Sequence, residues 1–159
     1  MTKAQWIDLG KRAVACEGWR WLPGMLVLST NNYHRPARIE SLDGETYGLT
    51  VIPDADGPVF AAHHEYGIAG EFPRGSSVPD LRDPATLGCL LSLVREVAEP
   101  ERAPGNWPLV CTHESAAHKW GVGAWLNESG KATFAALVLP TYPTEAAALV
   151  AALEASDVA

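Results

Sequence analysis

The sequence predicts an α+β fold: an antiparallel sheet of about five strands covered by about three helices, in the order α-β-β-β-α-β-β-α. Apolar residues recur at helical spacing, behind recognisable start signals, near the beginning, middle and end of the chain. Short β-branched runs separated by turn residues lie between them, with no internal repeat. A length of 159 residues suits one domain over 1–159 that can bury a core of its own.

The first helix is expected over about 3–17. Thr2 and Gln5 have the spacing of a capping box, in which each side chain satisfies a backbone N–H that the first turn leaves open. Trp6, Leu9, Ala13 and Cys16 then share a face, with Lys3, Asp8, Lys11 and Arg12 turned away, and Gly18 is placed to close the helix in a left-handed conformation. Pro23-Gly24 marks a turn and Leu26-Val27-Leu28 a strand. Asp43-Gly44, between runs ending at Leu42 and starting at Thr46, signals a hairpin. Val59–Ala62 and Tyr66–Ala69 are further strand candidates, and 72–82 reads as an exposed loop before a central helix.

That helix has Asp83 as N-cap and Pro84 at the first helical position, where a missing N–H costs nothing. Leu87, Leu90, Leu91, Val94 and Val97 form its apolar stripe, widened by Cys89 and Leu93, and Glu99-Pro100 ends it. Gly88 inside the stripe implies close approach of another backbone. Leu109–Cys111 and Val122–Leu126 are strand candidates, and Ala132–Leu139 returns after a four-residue turn at Asn127–Gly130. Thr144 caps a last helix, with Glu145 near its positive end and Ala146, Leu149, Ala152 and Leu153 on one face.

Composition narrows the function class. Twelve Lys and Arg against nineteen Asp and Glu leave a formal charge of −7, which disfavours direct nucleic-acid binding because that needs clustered cations. A local basic strip at Arg35 and Arg38 is the exception to consider. No apolar run reaches membrane-spanning length, and the first residues lack the apolar core of a secretory signal. Three cysteines, Cys16, Cys89 and Cys111, are too sparse for a disulfide scaffold and read as reduced and buried, in keeping with a cytoplasmic protein.

Chemical motifs are weak. Cys111, His113 and His118 lie close in sequence beside Glu114 and suggest a metal-dependent hydrolase, but the usual ligand spacings are missing. His63-His64-Glu65 would point its imidazoles to opposite faces of a strand. There is no nucleophile elbow, no P-loop and no dinucleotide fingerprint, and Asp54/Asp56 and Asp80/Asp83 have loop or capping roles. No cofactor is expected, and no catalytic residue.

Tryptophan is the unusual count: six, against four Tyr and three Phe. Trp19 and Trp21 flank Arg20, so in extended backbone both indoles face one way and the guanidinium the other. Such rings commonly close a sheet–helix junction, yet Trp and Arg are also enriched at binding hot spots. Trp19, Arg20 and Trp21, with Arg35 and Arg38, are therefore the candidate binding residues. The expectation is that six indoles exceed what the interior accommodates, leaving some outside.

Three stretches carry a family resemblance. They are Arg12–Cys16 with Gly18–Met25, Pro79–Leu91 with Leu93–Glu96, and Glu145 with Ala148–Glu154. Together they resemble small uncharacterised proteins carried by bacteriophages and prophages of proteobacteria; 26–78 and 101–140 contribute nothing to the likeness. The resemblance implies no catalytic residues. It implies an accessory protein acting in the cytoplasm of a bacterial host by binding a host or phage protein, with an anti-CRISPR-like inhibitor of a defence system as the leading expectation. Alternatives are a small-molecule or nucleotide-sequestering protein, a structural phage protein, and the metal-dependent hydrolase. The assembly state is left open.

Overall fold

The computed structural model describes residues 1–29, 36–42, 46–51, 64–68, 77–98, 109–115, 117–128 and 131–157. The fold is α+β, with helices α1 (Lys3–Ala15), α2 (Pro84–Ala98) and α3 (Glu145–Ser156). Its strands are β1 (Leu26–Ser29), β2 (Ala37–Leu42), β3 (Thr46–Val51), β4 (His64–Ile68), β5 (Ser77–Pro79), β6 (Val110–Glu114), β7 (Lys119–Glu128) and β8 (Lys131–Tyr142). They form two antiparallel sheets, β4-β3-β2-β1-β5 and β6-β7-β8, instead of a single sheet of about five strands. The chain divides into two compact units, Met1–Val14 with Arg20–Cys89, and Ala15–Trp19 with Leu90–Ala159.

In the first unit, the expected capping box starts α1. Thr2 N–H donates to Gln5 Oε1 at 2.7 Å and Gln5 N–H to Thr2 Oγ1 at 3.3 Å. Leu9 and Ala13 are buried, while Lys3, Asp8, Lys11 and Arg12 are exposed, as the periodicity requires. Gly10 brings α1 onto β5: a Cβ there would stand 3.1 Å from Val78 Cβ and 3.2 Å from the Pro79 carbonyl oxygen. The hairpin expected at Asp43-Gly44 is present as β2 and β3, paired from Ala37↔Val51 to Leu42↔Tyr47, although its turn lies outside the described residues. Val59–Ala62 also lies outside them.

The exposed loop expected over 72–82 is corrected from Ser77 onward. Ser77–Pro79 pairs with β1 (Val27↔Pro79, Ser29↔Ser77), and Val78, Pro79, Asp80 and Leu81 are buried. Pro79 is admissible here because it ends the strand of a sheet edge, where a missing donor is tolerated. Met25, Val27, Ala37, Ile39, Leu49, Val78 and Leu81 make this unit's core.

In the second unit, the β7–β8 hairpin is longer than the sequence suggests. Pairing continues to Glu128↔Lys131, so only two residues separate the strands instead of four. Register shifts fall between Trp120 and Val122 and between Val122 and Gly123. Thr144 caps α3 as expected, with extended backbone (φ −140, ψ 155) and its hydroxyl accepting from Ala147 N–H at 3.2 Å. Every residue from Ala146 to Leu153 is buried, more than the single apolar face expected, and α3 packs on β6, β7 and β8.

Two glycines differ from expectation. Gly18 is not left-handed; among the described residues Gly24 is the glycine with positive φ, at 96°. Gly18 is small for a packing reason, since a Cβ there would lie 2.7 Å from Val97 Cγ1 and 3.2 Å from Leu153 Cδ1. Gly88 is the reverse case: it is exposed, and among the described residues a Cβ there would meet nothing within 4 Å, in place of the close approach expected from sequence.

Candidate functional site

Arg38 is committed to structure. It lies on β2, whose pairing with β1 sets Arg38 opposite Leu26. Its Nη1 donates to the Gly24 carbonyl at 2.5 Å and to Asp83 Oδ2 at 3.1 Å, and its Nη2 donates to Asp83 Oδ1 at 2.8 Å. Asp83 caps α2 as the sequence predicts, its Oδ2 accepting from the Thr86 N–H and hydroxyl, each at 2.9 Å. Thr86 is fully buried, and its Oγ1 accepts from Leu26 N–H at 2.8 Å. The Arg38 guanidinium holds the Asp83 carboxyl down at about 2; burial opposes this, and the Thr86 donors reinforce it. A bidentate pair so completely bonded is a clamp between sheet and helix.

The other candidate binding residues divide. Arg20 is exposed between half-buried Trp19 and Trp21, the burial pattern their alternation implies, and the Trp19 indole nitrogen is buried. Trp19 belongs to one unit and Arg20 and Trp21 to the other. Arg35 lies outside the described residues. Trp6, Trp19, Trp21 and Trp120 are all half-buried, neither sealed inside nor fully exposed. The side chains of Trp107 and Trp125 lie outside the described residues.

The three cysteines are free. Cys16 is buried, but Cys89 and Cys111 are half-buried, short of the full burial expected. Cys89 Sγ sits 3.5 Å from the Pro23 carbonyl oxygen, and burial, then the Asp83 charge, raises its thiol. Burial, then the Glu145 charge, pushes the Cys111 thiol up to about 12. A thiol so poorly ionised is a weak nucleophile. Among the described residues no group of three or more His, Cys, Asp or Glu side chains is placed to hold a metal ion, so Cys111, His113 and His118 do not assemble the hydrolase centre considered from sequence.

What the fold does gather is a ring cluster on the β6–β7 hairpin. The β6–β7 register sets Cys111 opposite Val122 and His113 opposite Trp120. The His113 ring lies tilted against Trp120 with centroids 4.9 Å apart, and His118 in the turn is 6.1 Å from His113. His113, Glu114, Ser115, Ala117 and His118 are exposed and Trp120 is half-buried. His118 has φ 50, a left-handed conformation that costs a non-glycine residue on the order of 1 kcal/mol. Sequence reasoning picked out the histidines for a metal and missed Trp120. Counting outward from the pair Glu114 and Lys119 as the end of a hairpin would have placed the indole across from His113.

No helix of the described residues is long and apolar enough to cross a membrane. The chain matches no protein-family model, no curated protein and no solved structure.

Proposed function

We propose that this chain is a non-catalytic binding protein of the phage-accessory type, which engages a host or phage protein in the bacterial cytoplasm through the ring cluster of the β6–β7 hairpin. Its most pointed form is an anti-CRISPR-like inhibitor that occupies a surface of a bacterial defence complex. The observation that carries the reading is the cluster of His113, Trp120 and His118, two imidazoles in solvent beside a partly exposed indole.

An indole offers a large contact area with few torsions to immobilise, and His113 already restrains it, so little conformational freedom is lost on binding. His118 in a strained conformation supports the same reading, because such residues concentrate where function over-determines the backbone. The −7 charge favours a partner with a basic surface, such as the nucleic-acid channel of a defence complex, and would speed encounter with it.

The test uses the tagged chain, the Trp120→Ala and His113→Ala variants, and bacterial lysate, followed by affinity measurement with the captured protein after purification. Each variant, with an unchanged circular-dichroism melt, is expected to weaken binding at least roughly tenfold. Capture unaffected by both variants removes this surface from the proposal. No specific capture by the wild-type chain, together with a positive thermal shift from a nucleotide, replaces it with the sequestering reading.

A further inference from the structure

We infer that His113 and His118 form a two-point chelate for a borderline divalent transition-metal ion of the Cu2+, Ni2+ and Zn2+ class, on the β6–β7 hairpin. Neutral imidazole is a donor well suited to all three ions. Both rings are exposed, and their centroids stand 6.1 Å apart. Two imidazoles on one ion, with metal–nitrogen bonds of about 2.0–2.1 Å, place their centroids roughly 5–6.5 Å apart for angles between tetrahedral and linear. The observed spacing falls within that range. The 49° between the ring planes is no obstacle, because two ligands of one ion need not be coplanar.

Two features hold the pair in place before an ion arrives. The Trp120 indole lies against His113 with centroids 4.9 Å apart, which restrains the ring while its donor lone pair lies in the ring plane. His118 has φ 50, so the turn itself fixes where its imidazole leaves the backbone. A chelate organised in advance loses less conformational freedom on binding.

Among the described residues no third His, Cys, Asp or Glu joins the two imidazoles. The site is therefore a surface chelate and not the hydrolase centre, and the remaining positions of the ion are open to solvent or to a donor from a bound partner. The −7 charge of the chain favours a dication at long range. The chelate shares residues with the proposed docking surface but does not rest on that reading, since it is measured on the chain alone.

The experiment is calorimetric titration of the full chain with Ni2+ over about 1 to 100 μM, a range that brackets micromolar binding. The expected result is one ion per chain, with paramagnetic broadening of the His113 and His118 imidazole resonances. His113→Ala and His118→Asn, the latter tolerant of the left-handed backbone, are each expected to weaken binding at least roughly tenfold with unchanged thermal melts. The double variant is expected to lose no more than either single one, because a chelate is lost with either arm. His63→Ala and His64→Ala are expected to leave the affinity as it is. No binding below about 100 μM, independent and additive losses at the two positions, or binding abolished by His63→Ala and not by His118→Asn would each overturn the chelate. Ni2+ binding without capture of any lysate protein leaves the chelate standing and removes the docking role; capture without Ni2+ binding does the reverse.

Discussion

In the five-stranded unit, the start of α2 is tied to β1 and β2 by an ion pair and a buried hydroxyl: Arg38 to Asp83, Asp83 to Thr86, Thr86 to the Leu26 N–H. In the three-stranded unit, α3 meets its sheet through the unbroken buried run Ala146–Leu153 of Ala, Leu and Val. The two arrangements solve one problem, fixing a helix to a sheet, with different physics. A hydrogen-bonded clamp specifies geometry strongly and depends on protonation. Apolar packing is indifferent to pH but sensitive to volume, because interiors are close-packed. The difference teaches where each unit is vulnerable.

The largest expected effect is on the packed side. Leu149 is fully buried, and Leu149→Ala removes its contacts and leaves a cavity. A loss of about 2–5 kcal/mol is expected from urea unfolding, with the same loss at pH 7 and pH 4. A strong pH dependence of that loss would break the contrast.

On the clamped side, Arg38→Ala strands the Asp83 carboxylate and the Gly24 carbonyl. With the Arg38 side chain 35% exposed and Asp83 13%, solvent moderates the cost to about 1–3 kcal/mol. Arg38→Lys recovers only part of it, because a single ammonium does not reproduce the two-pronged contact. Equal stability of Arg38→Ala and the wild-type chain would show that the clamp is ornamental.

The same clamp sets an acid limb. Asp83 titrates at about 2 in the fold against 3.8 ordinarily, so the folded state favours its ionised form. Its contribution is fully present above pH 3.8 and is lost as the pH falls through about 2. After solvent screening, the amount is about 1–2 kcal/mol. Unfolding curves between pH 5 and 2 are expected to be less steep in pH for Asp83→Asn than for the wild-type chain.

The smallest effect is a gain. Gly88 is helical and exposed, with open space where a Cβ would stand. Gly88→Ala is expected to stabilise the chain by about 0.5–1 kcal/mol through reduced freedom of the unfolded chain. Destabilisation would mean that the glycine serves a contact after all.

Elements with local causes were legible in the sequence. Thr2 with Gln5, Asp83 with Pro84, and Thr144 with Glu145 each announce a helix within four residues, and each cap is present. The partition into two sheets was not legible, because it depends on distant partners. β5 is three residues long and pairs with β1, about fifty positions earlier in the chain, so nothing beside it marks it as a strand. The site was legible in part: His113 and His118 stood out as chemistry-bearing residues, but their neighbour Trp120 follows from strand register. Arg38, read as part of a local basic strip, is also a partner of the α2 cap.

By itself the sequence determined the helices, their caps, the acidic charge and the α+β class, since these follow from residues a turn or two apart and from composition. Tertiary structure alone decided which strands share a sheet, that Gly18 is crowded while Gly88 is open, that Arg38 is locked to Asp83, and that an indole stands beside two imidazoles. Those outcomes depend on which surfaces meet across long stretches of chain, where the cost of loop closure is settled by packing and not by any local preference.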